Sequence, residues 1–320
     1  MTRRDLFTAL ATLVALAGLA QSGRAEETIR VSVPQRGAWD TGVTELGLRG
    51  GFFKKHGLAI EILYTQGGAE SVQAVISGSM DIATGVGVSA AISTYAKGAP
   101  IRIIGSEMIG SPDLFWYVLP NSPVQKISDL SDKTIGYSVN GSSSHAGLLE
   151  LLQQYKVTAK PTSTGGMQGT LTQAMTGQID VGWSAAPFAL EALDDGKIRL
   201  VARGTDVDAL RGRTVRVNVT NVDMLSKRRD ALDRFMQAYR ETVDWMYSDP
   251  AALKHYSEFA GLPEKIVLRV RDFIPKDTIL PERIVGMDQI VSDAVKLKFI
   301  PAPLTPEQIK DMVQIATPVK

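Results

Sequence analysis

The sequence predicts an α/β chain built as two lobes of similar plan. Three observations carry that prediction. From residue 28 onward, short β-rich runs alternate with helical stretches, which is the pattern of largely parallel sheets flanked by helices. The alternation stops at Pro120-Asn121-Ser122-Pro123 and then starts again. One unit of sequence also recurs. Gln73-Ala74-Val75-Ile76-Ser77-Gly78-Ser79-Met80-Asp81-Ile82-Ala83 is echoed, one residue shorter, by Gln173-Ala174-Met175-Thr176-Gly177-Gln178-Ile179-Asp180-Val181-Gly182. Each copy follows a glycine pair, Gly67-Gly68 or Gly165-Gly166, and reads as helix, glycine stop, turn and strand with an Asp beside its start.

Segment 1–25 stands apart from the fold. Thr2, Arg3, Arg4 and Asp5 precede an uncharged apolar run, 6–20, and Gly23-Arg24-Ala25 offers small residues for cleavage ahead of Glu26. The run falls short of the roughly 20 residues that a membrane span needs. The expectation is a cleaved export signal. Thr2-Arg3-Arg4-Asp5-Leu6-Phe7 looks like a twin-arginine signal with its last two residues exchanged, and Sec export is the alternative.

In the remaining chain, 29–33 reads as the first strand, 35–41 as its exit loop and 43–55 as a helix ending near His56-Gly57. Strand 58–64, helix 69–77 and strand 80–84 follow, then a Gly-rich loop 85–89, helix 90–97 and strand 101–106. The run 114–119 is a further strand, placed here ahead of the proline-bounded break. Beyond the break come strand 134–137, helix 146–155, an irregular 162–167, helix 170–175, strand 179–183, helix 187–193, strand 198–202, a polar stretch 204–213 and strand 214–219. Residues 223–320 read as mostly helical, with 229–246 the longest piece, packing back on the first lobe. The expected division is therefore 26–119 with 214–320 as lobe I and 120–213 as lobe II.

Composition removes several function classes. The chain has a formal net charge of +1 and no basic block, so neither nucleic acid nor an anionic membrane is indicated as a partner. It has no cysteine, hence no disulfide, no thiolate nucleophile and no cysteine metal site. His56, His145 and His255 are too far apart to form a metal motif, and nothing calls for a cofactor.

Ligands of open α/β sheets sit beyond the carboxyl ends of the strands. That rule selects four loops, 36–41, 85–89, 138–144 and 183–187, two from each lobe. Gly37, Gly85, Gly87 and Gly141 allow close backbone approach, while Thr41, Ser89, Ser142, Ser143, Ser144 and Ser184 place hydroxyls near helix starts. Trp39 and Trp183 offer flat apolar walls, one from each lobe. The serine-rich loop joins a strand to a helix, so its free N–H groups and the helix dipole suit a polar or anionic ligand, and its serines also suit an N-cap. Asp40 would repel a simple oxyanion. His145 adjoins the serines, but neighbours at a helix start point in different directions and no acid partner is spaced to orient it, so no catalytic group is assigned. Trp116, Tyr117, Trp245 and Tyr247 read as packing.

Gly141-Ser142-Ser143-Ser144-His145 before a leucine-rich helix, Gly177-Gln178-Ile179-Asp180-Val181-Gly182-Trp183 leading to Ala186-Pro187, and Ser77-Gly78-Ser79-Met80-Asp81-Ile82 together carry a resemblance. The chain resembles the periplasmic substrate-binding proteins of ABC importers for nitrate, sulfonates and taurine, a group similar to the thiamine-pyrimidine binders. The likeness covers most of the chain after the export segment and is weakest beyond about residue 223. It implies a type II periplasmic-binding-protein fold, each lobe a mixed sheet flanked by helices, with two hinge crossings, one after 114–119 and one before 214–219. It further implies a periplasmic monomer that closes on a small solute and docks on an ABC permease with its ATPase. Carried over by motif, the ligand site comprises Trp39, Asp40, Thr41, Gly87, Ser89, Asn140, Gly141, Ser142, Ser143, Ser144, Trp183 and Ser184. Arg216 is the expected cationic partner of an acidic ligand, with Arg36 second. The expected ligand is a small anionic organic solute, sulfonate-like or carboxylate, shifted toward a larger body by Asp40 and the two tryptophans. The alternatives are a thiamine-pyrimidine or other aromatic ligand, a binding protein that feeds a receptor, or an enzyme on the same fold. The pyrimidine-forming enzymes carry a cysteine-rich motif that this chain lacks.

Overall fold

The computed structural model describes residues 26–279 and 281–316, so the export-signal expectation for 1–25 lies outside the described residues. Among them, no helix is long and apolar enough to cross a membrane. In β1 (Glu27–Pro34) the alternating Ile29, Val31 and Val33 are buried, as a strand covered on one face first requires. β1 pairs in parallel with β2 (Leu58–Thr65) along its whole length, and with β3 (Ile82–Gly87) on its other side. β10 (Thr214–Asn221) inserts antiparallel between β3 and β4 (Ile101–Ile109), giving the order β2-β1-β3-β10-β4.

The single helix expected over 43–55 is two, α1 (Val43–Arg49) and α2 (Phe52–Lys55). Gly51 between them takes φ +75°, a left-handed turn that ends one helix and re-aims the next. α3 (Gly68–Ile76) and α4 (Val88–Ala96) follow β2 and β3.

The second sheet repeats the plan. β5 (Leu114–Val118) lies between β8 (Gly182–Ala185) and β9 (Arg199–Arg203), antiparallel to both. β6 (Thr134–Tyr137) pairs in parallel with β7 (Lys160–Ser163), and a bridge from Ile135 to Val181 joins that pair to the start of β8. The resulting order β7-β6-β8-β5-β9 matches β2-β1-β3-β10-β4 position for position. In each sheet the antiparallel strand is the one that arrives from the other side of the molecule. α5 (Ser143–Gln154), α6 (Met167–Met175) and α7 (Leu190–Asp194) flank this sheet.

The sequence echo therefore marks equivalent places, α3 into β3 and α6 into β8. Its aspartates do the same work in both. Asp81 Oδ2 accepts the Arg30 N–H of β1 at 2.8 Å, and Asp180 Oδ2 accepts the Thr134 N–H of β6 at 2.8 Å, each tying the start of one strand to its neighbour in the sheet. Residues 162–167, expected to be irregular, begin inside β7, whose parallel pairing with β6 is nonlocal and invisible in its own composition.

One boundary differs from expectation. β5 belongs to the second sheet, so the chain leaves the first at Ile109 and crosses through 110–113, ahead of 114–119 instead of after it. All five residues of β5 are buried because it is a central strand with a neighbour on each edge, and Pro120 ends that strand without leading to another sheet. The chain returns through 204–213 into β10.

The final third is helical and packs on the first sheet. α8 (Val222–Lys227) leads into α9 (Arg229–Ser248), whose Leu232, Phe235, Met236, Tyr239, Val243 and Met246 recur at helical spacing and are buried. Phe235 stacks on Phe53 of α2 at 5.0 Å. α10 (Pro250–Ala260) starts from an Asp249 cap with Pro250 in its first turn and ends at Gly261 in the left-handed region. α11 (Glu264–Phe273), α12 (Met287–Lys296) and α13 (Pro306–Met312) complete the layer, and Val313 bridges back to Ile103.

Candidate functional site

The two sheets face each other across a cavity of about 70 Å³ lined from both sides. The first side contributes Asp40 and Thr41 from the β1 exit loop, Gly85 and Gly87 from β3, and Gly67-Gly68 at the start of α3. The second contributes Ser138, Ser142, Ser143 and Ser144 around the start of α5, Met167 at the start of α6, and Trp183 and Ala185 of β8. Asp113, in the first crossing, and Arg216, on β10, form the floor. Away from the cavity the sides also touch, through Lys296 Nζ to Glu150 Oε2 at 3.3 Å, Arg203 over the Phe273 ring at 4.1 Å and an Arg269–Asp194 ion pair.

The serines of the loop divide their tasks. Ser142 is the N-cap of α5, its Oγ accepting the His145 N–H at 3.2 Å. Ser144 Oγ accepts the Ser138 N–H at 3.0 Å and lies 3.0 Å from Ser142 Oγ, which fixes the loop on itself. Ser143 Oγ accepts from Arg216 Nε at 3.1 Å and so reaches across to the floor.

At Gly87 the two sides approach closely. Its φ of −55° suits any residue, but a Cβ there would lie 3.0 Å from both Gly141 O and Ser143 N on the opposite wall. Gly87→Ala is therefore expected to hold the sides apart while sparing the packing within each. The measurement is small-angle scattering with a thermal melt: a larger radius at an unchanged melting midpoint is expected, and unchanged dimensions would show that the approach is not limiting.

The floor is an ionic cluster. Arg216 Nη1 donates to Asp40 Oδ2 at 2.6 Å and Nη2 to Asp113 Oδ2 at 2.7 Å, with side-chain exposures of 9%, 3% and 2% for the arginine and the two acids. Burial works against the Arg216 charge, but Asp113, Asp40 and Glu107 outweigh it and raise its pKa. Burial raises the Asp113 pKa above its usual value despite the guanidinium. Glu107 of β4 is fully buried next to this cluster, and burial followed by the Asp40 charge pushes its pKa well up. One guanidinium here faces the carboxyl groups of Asp40 and Asp113, with Glu107 beside them.

Of the residues expected at the site, Asp40, Thr41, Gly87, Ser142, Ser143, Ser144, Trp183 and Arg216 come together at the cavity. Trp39 does not. It is fully buried under Tyr247 and Tyr256, ring to edge at 5.7 and 4.8 Å, with its Nε1 donating to Tyr247 Oη. Ser184 Oγ donates to Phe188 O, Asn140 Oδ1 accepts from Tyr137 Oη, and Ser89 lines a separate small cavity beside Arg213 and Asp293. Gly141 meets Gly87 through its backbone without lining the cavity, and Arg36 lies over the Phe259 ring at 4.9 Å, outside it. His145 stacks on Tyr137 at 4.1 Å, its Nδ1 accepts the Gly141 N–H at 3.1 Å, and burial lowers its pKa. Trp116 and Tyr117 are buried in β5, as packing residues should be.

Sequence reasoning missed Asp113, Gln35, Met167 and the Gly67-Gly68 pair as lining residues. Asp113 left one usable signal, an acid set directly before the apolar run 114–118. Glu107 left a similar one, an acid inside the apolar strand 101–109.

The family described as NMT1/THI5 like matches residues 46–253. No curated protein sequence matches the chain. Among solved structures, the chain is similar to the periplasmic aliphatic sulphonate binding protein SsuA of Escherichia coli, with 19% identity, a TM-score of 0.73 and coverage of 92% of this chain and 94% of that one. It is also similar to the alkanesulfonate-binding protein SsuA of Xanthomonas axonopodis pv. citri bound to MOPS, with 18% identity, a TM-score of 0.75 and coverage of 90% and 98%. A Candida albicans gene product, CA3427, described as having the generic periplasmic binding protein structural fold, matches with 16% identity, a TM-score of 0.71 and coverage of 92% and 97%. These likenesses show a periplasmic-binding-protein fold.

Proposed function

The chain belongs to the NMT1/THI5-like family, and from that premise we propose that it is an exported solute-binding protein that closes on one small organic solute. It works as a monomer in the periplasm and delivers the solute to an ABC permease with its ATPase. Lobe I comprises 26–109 with 214–316, and lobe II comprises 114–203, so that β5 and β10 each enter a sheet from the opposite lobe. The observation that carries this reading is the polar cavity at the meeting point of both strand sets, with Asp113 of the first crossing and Arg216 of β10 at its floor. The likeness to the two SsuA binding proteins supports it.

Binding fits the site better than catalysis. Ser142, Ser143 and Ser144 already serve as hydrogen-bond acceptors, and the Nδ1 of His145 is taken by a backbone N–H. The solute is small, since about 70 Å³ is roughly half the ~150 Å³ engineered cavity that takes benzene. A wider opening lined by Tyr64, Gln66, Gln168 and Phe188 shares Gln35 and Met167 with the cavity and gives the solute its way in. The anionic solute expected with Arg216 meets a guanidinium already matched by two carboxylates.

The test is native mass spectrometry of the mature chain after exposure to a cell extract and desalting. One retained solute per chain is expected. Ser143→Ala with Trp183→Phe, which keeps an aromatic ring in the buried Trp183 position, is expected to weaken retention at least about tenfold, a loss of roughly 1.4 kcal/mol. Retention of nothing by the wild type would overturn the reading.

A further inference from the structure

We propose that the cleft selects a solute carrying a protonated nitrogen, an ammonium or amidinium group, seated on Asp113 Oδ1 and Asp40 at the floor. This rests on the solute-binding reading and names the class of solute. The first support is an acceptor without a donor. The Asp113 side chain is 2% exposed and lines the cavity; its Oδ2 takes the Arg216 Nη2, while its Oδ1 has no hydrogen-bond partner. Buried carboxylate oxygens are normally satisfied, so one left open at a cavity wall is a place kept for a donor. Thr41 Oγ1, on the same wall as Asp40, is also without a partner.

The second support is charge. Counted with both acids ionised and Glu107 neutral, Asp40, Asp113 and Arg216 leave one uncompensated negative charge at the floor. A cationic solute cancels it. A solute bearing only negative charge doubles it in a place remote from water, and meets an Arg216 already held by two carboxylates at 2.6 and 2.7 Å. Ser143 Oγ, which accepts from Arg216, keeps its own O–H to donate to a polar or anionic substituent on the same solute, at a helix start that favours one. The cationic group sets which solutes enter.

The test uses the dialysed mature chain and a defined pool of small solutes at millimolar concentration, ethylammonium and acetamidinium against ethanesulfonate and propionate, read by saturation-transfer NMR. Transfer to a cation and not to the anions is expected, and Asp113→Asn should weaken it at least about tenfold. Asp40→Asn serves as the second variant, and the wild-type contrast of cations with anions needs neither variant to fold. Transfer to ethanesulfonate or propionate alone overturns the inference. So does transfer to no member of the pool by a chain that still retains a solute from cell extract, which leaves the solute-binding reading standing. A chain that retains nothing from either source overturns both.

Discussion

Arg216→Met is expected to lower the unfolding free energy at neutral pH by about 3–5 kcal/mol, read from urea denaturation. The guanidinium is the positive partner placed between Asp40 and Asp113, and all three side chains are under a tenth exposed. Removing it leaves two buried carboxylates facing one another beside Glu107, which must then take up protons or draw in water. Against a typical total of about 5–15 kcal/mol, that is enough to leave the variant marginal. The combined variant Arg216→Met, Asp40→Asn, Asp113→Asn should regain most of the loss, because neutral groups of similar size commonly replace a buried ionic cluster at little cost. If so, the cluster is not there for stability, and its place at the floor of the cavity is explained by what it binds. A small loss for Arg216→Met alone would instead mean that water reaches the floor and screens it.

The fold was legible where the signals are local. The echo of 73–83 in 173–182 could be read because glycine stops and strand-start aspartates act within their own neighbourhoods, and Asp81 and Asp180 do make matching bonds. The first crossing was not legible, since the apolar run 114–118 looks the same whichever sheet it joins, and its partners lie far along the chain at 182–185 and 199–203. The site shows the same split. The rule of strand ends reached Asp40, Gly87 and the serines, because it depends only on where a strand stops. It could not distinguish Trp39 from Asp40 in one loop, as the tyrosines that bury Trp39 stand on α9 and α10, more than two hundred positions away. Nor could it pair Arg216 with Asp113, 103 positions apart, so an arginine that reads as a free cation in sequence is a neutralised one in the fold.

Glu107 carries the other large expectation, in the dependence of stability on pH. Its pKa is raised by burial and then by Asp40, while in the unfolded chain it sits near 4.5. Between those values the native chain holds a proton that the unfolded chain has released, so stability must fall as pH rises, by about 1.4 kcal/mol per pH unit for this one group. Asp113, raised in the same way from 3.8, adds a slope of the same sign. Carboxylates with lowered pKa values, among them Glu27, Asp81 and Glu241 (about 2), act elsewhere: their contribution is complete above their unfolded values and is lost only on acidification. His145, lowered by burial, opposes Glu107, because stability from a neutral buried histidine is lost as pH falls through 6.5. The raw profile therefore mixes signs, and subtraction separates them. The stability of the wild type minus that of Glu107→Gln, measured by urea denaturation from pH 5 upward, should decline with pH at about 1.4 kcal/mol per unit until Glu107 ionises in the native chain. A difference that stays flat would mean that Glu107 is already ionised in the fold. The floor would then carry two uncompensated negative charges in place of one, and its demand for a cationic solute would be stronger still.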